Sequence, residues 1–329
     1  MQVTLIHNAA AGDDSTPDAE ALVRMIADAG HTVSYQAARD EHWAAALDEP
    51  ADLVVAAGGD GTVGRVARRM VGRGRPMTAI SLGTANNIAR SLGLTGIPLE
   101  DQVAGWRTAR PAALDAGEAH GVWGRRCFIE GLGIGLFASL MAEGDRKRHR
   151  GPQGAQKTVA SAVHALGEYL ARQRAKRIQA TLDGADISGE YLLFAVMNMQ
   201  FVGPNLYLAP NGHPADGLFD IVMVRRADRQ LLSASLAEWE TGHLVSPHLA
   251  TVQGRVLVIG AGRHAVHIDD WLTPLDPRTA HPTQAQIRVE VQAGALEFLL
   301  PDGAARRFGF PTRTSEPDLH TLATDRVGS

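Results

Sequence analysis

The chain has 329 residues, 45% of them apolar and 21% charged, with 32 basic against 36 acidic side chains and a formal net charge of −4. That balance excludes an extended disordered polymer and gives no global field for nucleic acid, so an anionic partner has to be met by a local patch. At ~100–200 residues per domain the length allows about two hydrophobic cores.

Short apolar runs alternate with helical patterns up to Leu114, a rhythm that predicts crossover units and a mostly parallel sheet. Val3 to His7 reads as a strand, and Pro17 to Ala29 as a helix with Leu22, Val23 and Ile26 on one face and Gly30 as its cap. Thr32 to Gln36 is the next strand, HWAAAL (42–47) a short helix, and Leu53 to Ala57 a buried strand. Thr62 to Val71 is a helix whose Val63, Val66, Ala67, Met70 and Val71 follow i, i+3, i+4, i+7, i+8. MTAISL (77–82) supplies another strand, followed by a glycine turn and the helical ANNIARSLG.

Beyond Leu114 strand follows strand: RCFIE, RIQATLDG, YLLFAVMNM, GLFDIVMV, RVLVIG, HAVHID, QIRVEVQ and ALEFLL, a spacing that predicts an antiparallel sandwich or a partly closed barrel. Helical insertions interrupt it near 155–174, with Val159, Val163, Leu166 and Leu170 on one side, and near 228–241. The tail from Pro311 to Ser329 shows no periodicity and reads as disordered. Cys127 is the single cysteine, which excludes an internal disulfide, reads as a small buried hydrophobe and agrees with a reducing cytoplasm. MQVTLIHN lacks the basic and apolar regions of a signal peptide, and no run reaches the ~18 apolar residues of a membrane span, so a membrane would be met from its side.

The chemistry concentrates at LVVAAGGDGTVGRV (53–66), where a buried strand enters a glycine turn ahead of a helix. Unpaired amides and the positive end of a helix dipole make such a turn a phosphate site, and glycine lets the phosphate approach the backbone. The plainer reading is a tight turn in which Asp60 caps the following helix. Gly59, Gly61 and Gly64 also satisfy the dinucleotide spacing, but no Asp or Glu follows from Gly61 through Leu99, where Arg65, Arg68, Arg69, Arg73, Arg75 and Arg90 stand instead. The ATPase P-loop fails as well, since no glycine loop runs into Lys and Ser or Thr in the required order. A carboxylate beside a polyphosphate is tolerable when a cation such as magnesium stands between them, which points to metal-bound ATP.

GGDGT at 58–62 resembles the nucleotide motif shared by diacylglycerol kinases, sphingosine kinases, NAD kinases and phosphofructokinases. SLGTANNIARSLG (81–93) is similar to the LGTGNDFAR element of the diacylglycerol kinase and bacterial lipid kinase family, with Ala85 in place of a glycine and Asn87 in place of an aspartate. HNAAAG (7–12) resembles the family's NP-x-x-G turn with alanine for proline, and LAPNGHPADGLFDIVMV (208–224) its AP…DDG-x-x-D segment.

The resemblance implies an α/β plus β architecture. An N-terminal three-layer α/β domain, 1–115, holds ATP, and an antiparallel β-sandwich, 116–310, holds lipid, its last strand free to return to the first domain. It further implies that Gly58, Gly59, Gly61, Thr62, Val63 and Gly64 wrap the phosphates and that Asp60 acts through magnesium. Thr84 would contact the nucleotide, Asn8 would line the first turn, and Asn86 with Asn87 would brace the loop. Asp216, with the carbonyls of His213 and Leu218, falls on a structural magnesium site, although Asp-Gly is also a common turn; no second histidine or cysteine nearby supports zinc.

The family's base lies in a DGE element, and here VHIDDWLTP (266–274) puts Asp269 on its aspartate, Asp270 on its glycine and Trp271 on its glutamate. Paired carboxylates raise one another's pKa and favour a base, while a solvated hairpin accounts for the same residues. The activity implied is ATP- and magnesium-dependent phosphorylation of a hydroxyl on a diacylglycerol-like lipid. The alternatives are a nucleotide- or lipid-binding regulator without turnover and an NAD kinase-like enzyme. DRKRHR (145–150), Lys157 and RQRAKR (172–177) form the basic patch for a peripheral contact at the inner face of the membrane, or else a solvated helix end. The partners expected are ATP, lipid and a second copy of the chain as a homodimer, without nucleic acid.

Overall fold

The computed structural model describes residues 1–13, 15–148, 158–260, 264–273 and 286–307, and the side chains of all of these but 145–148 and 307. The tail expected to be disordered lies outside the described residues. The first half contains β1 (Gln2–His7), α1 (Ala19–Asp28), β2 (Thr32–Ala37), β3 (Leu53–Gly58), α2 (Asp60–Met70), β4 (Met77–Ser81), α3 (Asn87–Ser91) and α4 (Leu99–Gly105). Then come β5 (Pro111–Gly121), β6 (Gly124–Phe128), β7 (Gly131–Gly135), α5 (Leu136–Arg148), α6 (Val159–Arg172), β8 (Lys176–Leu182), β9 (Ala185–Asp186) and β10 (Gly189–Met197). The remainder is β11 (Phe201–Val202), β12 (Leu206–Tyr207), β13 (Phe219–Arg225), α7 (Arg229–Glu240), β14 (Ala250–Gly254), β15 (Val256–Gly260), β16 (Val266–Ile268), β17 (Trp271–Leu272), β18 (Gln286–Leu299) and α8 (Asp302–Arg307).

β2, β1, β3 and β4 lie side by side and parallel, as the crossover rhythm requires. Both faces are covered, which makes three layers. Val63, Val66 and Met70 of α2 pack on one face with Ile6 and Val54, and Leu22 and Ile26 of α1 pack on the other with Val3, Leu5 and Val55. The alternating burial of opposite sheet faces follows from the period of two along each strand. Trp43–Leu47 is a short 3-10 turn and buries Trp43 and Leu47 beside α2.

The second half is an antiparallel sandwich whose interior holds Phe128, Ile134, Tyr191, Phe194, Phe219, Ile259 and Val289. β10 is its spine, pairing antiparallel with β7, β13 and β8. α6 and α7 cover the outer face through Val163, Leu166, Leu170, Leu232 and Trp239. β18 joins the halves: it pairs antiparallel with β5 and β15 and, at Phe298 opposite Met77, parallel with β4. The late strand therefore lies in the sheet of the first half, and Leu296 and Phe298 are part of that core.

Several elements went unread in the sequence. β7, Gly-Leu-Gly-Ile-Gly, has a composition that weakens a strand in isolation. Its place between β10 and β16 demands glycine: a Cβ on Gly131 would lie 2.7 Å from the Val196 carbonyl oxygen, and one on Gly133 2.6 Å from His267 Nε2. β5, which carries proline, aspartate and glycine, is held by pairing with β18 along both of its ends. β14 pairs with β13 along a largely exposed edge, and its neighbour α7 ends at Glu240, as the second helical insertion predicts.

Candidate active site

The glycine turn after β3 packs backbone against backbone on the turn after β4. A Cβ built on Gly83 would fall 2.4 Å from Gly59 Cα, so these positions are glycine because two loops touch there. Such an overlap leaves no side-chain rotamer to relieve it and would drive the loops apart. Leu82 N donates to Gly58 O at 3.0 Å, which continues the strand pairing into the turns. Asn86 sits in the left-handed region at φ 54° and grips Gly83 from both sides, its Oδ1 accepting Gly83 N at 3.0 Å and its Nδ2 donating to Gly83 O at 2.7 Å. Asn8 ties the first turn in, donating from Nδ2 to Thr62 Oγ1 at 3.2 Å.

Asp60 does not cap its own helix. α2 begins at Asp60, two residues earlier than the apolar spacing predicts, and its N-cap is Gly59. The Asp60 carboxylate instead accepts the Ile88 amide at 3.0 Å, at the start of α3, with the Asn86 and Asn87 amides also favouring its charge. Burial is the larger influence and lifts its pKa above the ordinary aspartate value. One carboxylate thus bridges both loop motifs.

Cavities open beside these loops. A polar cleft of about 780 Å³ is lined by Gly12, Gly83, Thr84, Asn86, Arg90 and Thr95. A smaller cavity of about 280 Å³ has Phe137, Leu140, Met141, Leu166 and Val202 as walls, and Asp60, Asn87, Glu130 and Asp269 at its acid end. Asn86 and Asn87, adjacent in the chain, therefore face opposite cavities.

Asp269 follows β16 at φ 48° and points inward. Its carboxylate accepts the amides of Ile129 at 3.0 Å, Glu130 at 2.9 Å and Gly131 at 3.2 Å, and pairs with the Arg68 guanidinium at 2.6 Å. Burial raises its pKa, opposed by Arg68 and these amides. Its neighbour Asp270 is 60% exposed and takes the other end of Arg68 at 3.2 Å. Burial lowers the Arg68 pKa, and Asp269 with Asp270 outweigh it and leave it raised. The solvated-hairpin reading of these aspartates thus holds for Asp270 and fails for Asp269.

Profiles of two protein families match this chain. The diacylglycerol kinase catalytic domain covers residues 2–119, and the YegS C-terminal NAD kinase beta sandwich-like domain covers 135–298. The chain belongs to the diacylglycerol kinase and bacterial lipid kinase family. It is 34% identical over 187 residues to the diacylglycerol kinase of Bacillus subtilis, which is 54% of this chain and 56% of that protein. It is 28% identical over 253 residues to the diacylglycerol kinase of Mycobacterium tuberculosis, 74% of this chain and 79% of that protein. The fold matches that of a Bacillus anthracis diacylglycerol kinase crystal structure at a TM-score of 0.61 and 18% identity, covering 92% of this chain and 98% of the other.

Within this family frame the expected residues separate. Asp60 and Gly61 line the apolar cavity with Asp269, while Thr84 and Asn86 line the polar cleft. The Val63 side chain is 2% exposed and belongs to the hydrophobic core, so the part expected of it in wrapping the phosphates falls to its backbone. Asp216 is exposed and its Oδ1 accepts Leu218 N at 2.9 Å, while Ala215 N donates to His213 Nδ1 at 3.1 Å. The neighbouring Asp115 accepts Gly217 N at 2.7 Å and Gly294 N at 2.8 Å. Amides hold this loop closed, and among the described residues no three His, Cys, Asp or Glu side chains converge as a metal cage. The expected magnesium donors here, the Asp216 carboxylate with the His213 and Leu218 carbonyls, are all oxygens, as that cation takes.

The arginines after Gly61 are mostly structural. Arg65 reaches the Ala38 carbonyl and lies over Trp43, Arg73 pairs with Asp48 at 2.7 Å, and Arg75 holds the Leu47 and Glu49 carbonyls. Arg90 is different: it lines the polar cleft over the Phe201 ring, with Nε buried and unpartnered. Of the expected basic patch, the 145–150 side chains and Lys157 lie outside the described residues. In its other half Arg172 pairs with Glu143 at 3.3 Å and Arg177 with Glu190 at 3.6 Å. Among the described residues no helix is long and apolar enough to cross a membrane. Cys127 is half-buried and its thiol is pushed up to about 12 by burial, which keeps it protonated.

Sequence reasoning missed Glu130. It follows β6, is 9% exposed and stands at the acid end of the apolar cavity, with its pKa raised well above the usual value by burial and then by Asp60 and Asp269. Only the position of a glutamate between apolar runs, in FIEGLGIG, hinted at it.

Proposed function

We propose that this lipid kinase family member transfers the γ-phosphoryl group of magnesium-bound ATP to the hydroxyl of a diacylglycerol-like lipid. ATP occupies the polar cleft, its phosphates running along the Gly83 turn toward the Gly58–Gly64 turn, with Thr84 and Arg90 on the nucleotide. The lipid occupies the apolar cavity. The observation that carries this reading is the pair of unlike cavities that take the adjacent residues Asn86 and Asn87 as walls, one polar, the other apolar with an acid end that includes Asp60. Phosphoryl transfer asks mainly for positioning and charge neutralisation, and Asp60 stands where the cation carried in with ATP would screen it.

In this reading residues 1–115 bind nucleotide and 116–310 bind lipid, with β18 common to both. Arg68 and Asp269 fasten α2 of the first part to β16 of the second beside the acceptor site. The lipid is reached from the bilayer surface, as a peripheral contact. The test is incubation with radiolabelled ATP, magnesium and a total lipid extract, with NAD in a parallel tube. A labelled lipid is the expected product. Magnesium-dependent ATP binding with no labelled product would favour a regulator, and labelled NADP an NAD kinase.

A further inference from the structure

Four carboxylates line the apolar cavity, Asp60, Glu130, Asp269 and the exposed Asp270, and their hydrogen bonds are unequal. Asp269 is enclosed by the amides of 129, 130 and 131 and by Arg68. Asp60 is turned toward the amides that open α3. Each N–H donor favours the charged form against burial and takes up a lone pair of the carboxylate. Glu130 receives one described side-chain hydrogen bond, from Asn87 Nδ2 to Oε2 at 3.1 Å. Asn87 is itself fixed by donating to Gly203 O at 2.7 Å.

The Glu130 main chain is equally fixed. Its amide donates to Asp269 at 2.9 Å, and its carbonyl accepts from Asn198 N at 3.0 Å and Met199 N at 3.3 Å. A buried carboxylate on a pinned backbone, facing an apolar space, is placed to meet one polar group of an otherwise apolar molecule.

We propose that Glu130 is the group that receives the acceptor hydroxyl at the closed end of the apolar cavity and takes its proton during transfer. This rests on the kinase reading above. The hydroxyl oxygen forms its bond to the γ-phosphorus with a lone pair. The bond from that phosphorus to the bridging oxygen breaks, and its electron pair leaves on ADP. The hydroxyl proton passes to the Glu130 carboxylate and reaches solvent after the product departs. Asp269 acts as a positioning residue, holding the 129–131 backbone from which Glu130 projects. The groups that face Glu130 or its cavity are Asp60 and Arg68 of α2, Asp269 and Asp270 after β16, and His267 within β16. Burial and three of these carboxylates raise the Glu130 pKa, so the base is available only as pH climbs through a range above that of an ordinary glutamate.

The test uses the full chain and has independent arms. Binding of 1-decanol, measured without ATP, is expected for the wild type and for Glu130→Gln, whose amide oxygen still accepts the hydroxyl, and to weaken ~10-fold in Glu130→Leu. Turnover of the acceptor found in the lipid extract is expected to fall ~10²–10⁴-fold in Glu130→Gln, with the KM for ATP unchanged and the acidic limb of the kcat/KM profile lost. Unaltered magnesium-ATP affinity certifies that each variant folds. Wild-type turnover in Glu130→Gln, or wild-type decanol binding in Glu130→Leu, overturns the proposal, as does failure of the wild type to bind decanol. If decanol binding depends on residue 130 while no lipid is ever labelled, the kinase reading falls and the Glu130 contact stands.

Discussion

The polar cleft and the apolar cavity differ in how the chain builds them. The cleft is lined largely by the turns that follow β1 and β4 of one parallel sheet, so its residues, Gly12, Gly83, Thr84 and Asn86, come in short recognisable strings. The cavity is assembled from α2, the β6–β7 junction, α5, α6 and the end of β16, segments spread from Asp60 to Asp270. A phosphate-binding site can be local because backbone amides at a turn do most of the work. An apolar pocket is a packing result and has no local signature.

Substitutions should separate the sides in graded fashion. The largest effect is expected at Asp60, which joins the two loop motifs. Asp60→Asn puts an amide donor against the α3 amides and removes the charge that faces the cation of ATP, so kcat should fall ~10²–10³-fold, as removal of a single preorganised transition-state contact does. Steady-state kinetics at saturating ATP would show this, and an unchanged kcat would mean that Asp60 merely joins the loops.

On the apolar side the expected signature is pH-dependent stability. His267 is buried with Nε2 unpartnered, and its pKa is pushed down to about 4 by burial, opposed by a hydrogen bond to the Asp269 backbone. The unfolded chain binds that proton near pH 6.5, so between about 6.5 and about 4 the unfolded state holds more protons and stability is lost as pH falls, by up to ~3 kcal/mol. Asp220, raised to about 6 by burial and Asp216, works the other way: the folded state holds the extra proton, and stability falls as pH rises through about 4 to 6. His267→Gln should therefore lose the acid-side decline and unmask the Asp220 trend in chemical denaturation followed from pH 7 to pH 4. Parallel curves for the two proteins would sink this account.

The smallest effect is expected in the cleft. Arg90→Met removes the guanidinium that lies over Phe201 and with it the charge, so ATP affinity should weaken ~10-fold while decanol binding stays the same. A change in decanol binding would show that the cavities are not independent.

Much of the first half was legible in the sequence. Apolar periodicity placed β1, β3, β4 and α2, and the glycine strings at 58–62 and 81–93 marked the loops that meet. The second half was legible as a run of strands. β7 was not, because its glycines answer to the Val196 carbonyl and His267 across the sheet and to no preference of their own. The fate of the paired aspartates was also hidden. Identical residues at 269 and 270 divide into a buried anchor and a solvated ion-pair partner, because Asp269 adopts a left-handed backbone that turns it toward the 129–131 amides.

By itself the sequence determined where anion-binding turns form, since that depends on glycine, strand ends and helix starts within a few residues of one another. Only the tertiary structure decided how each acid is engaged. Asp60, Glu130 and Asp269 are alike as carboxyl groups, and they differ in how many N–H donors the fold brings to each from segments far apart in the chain.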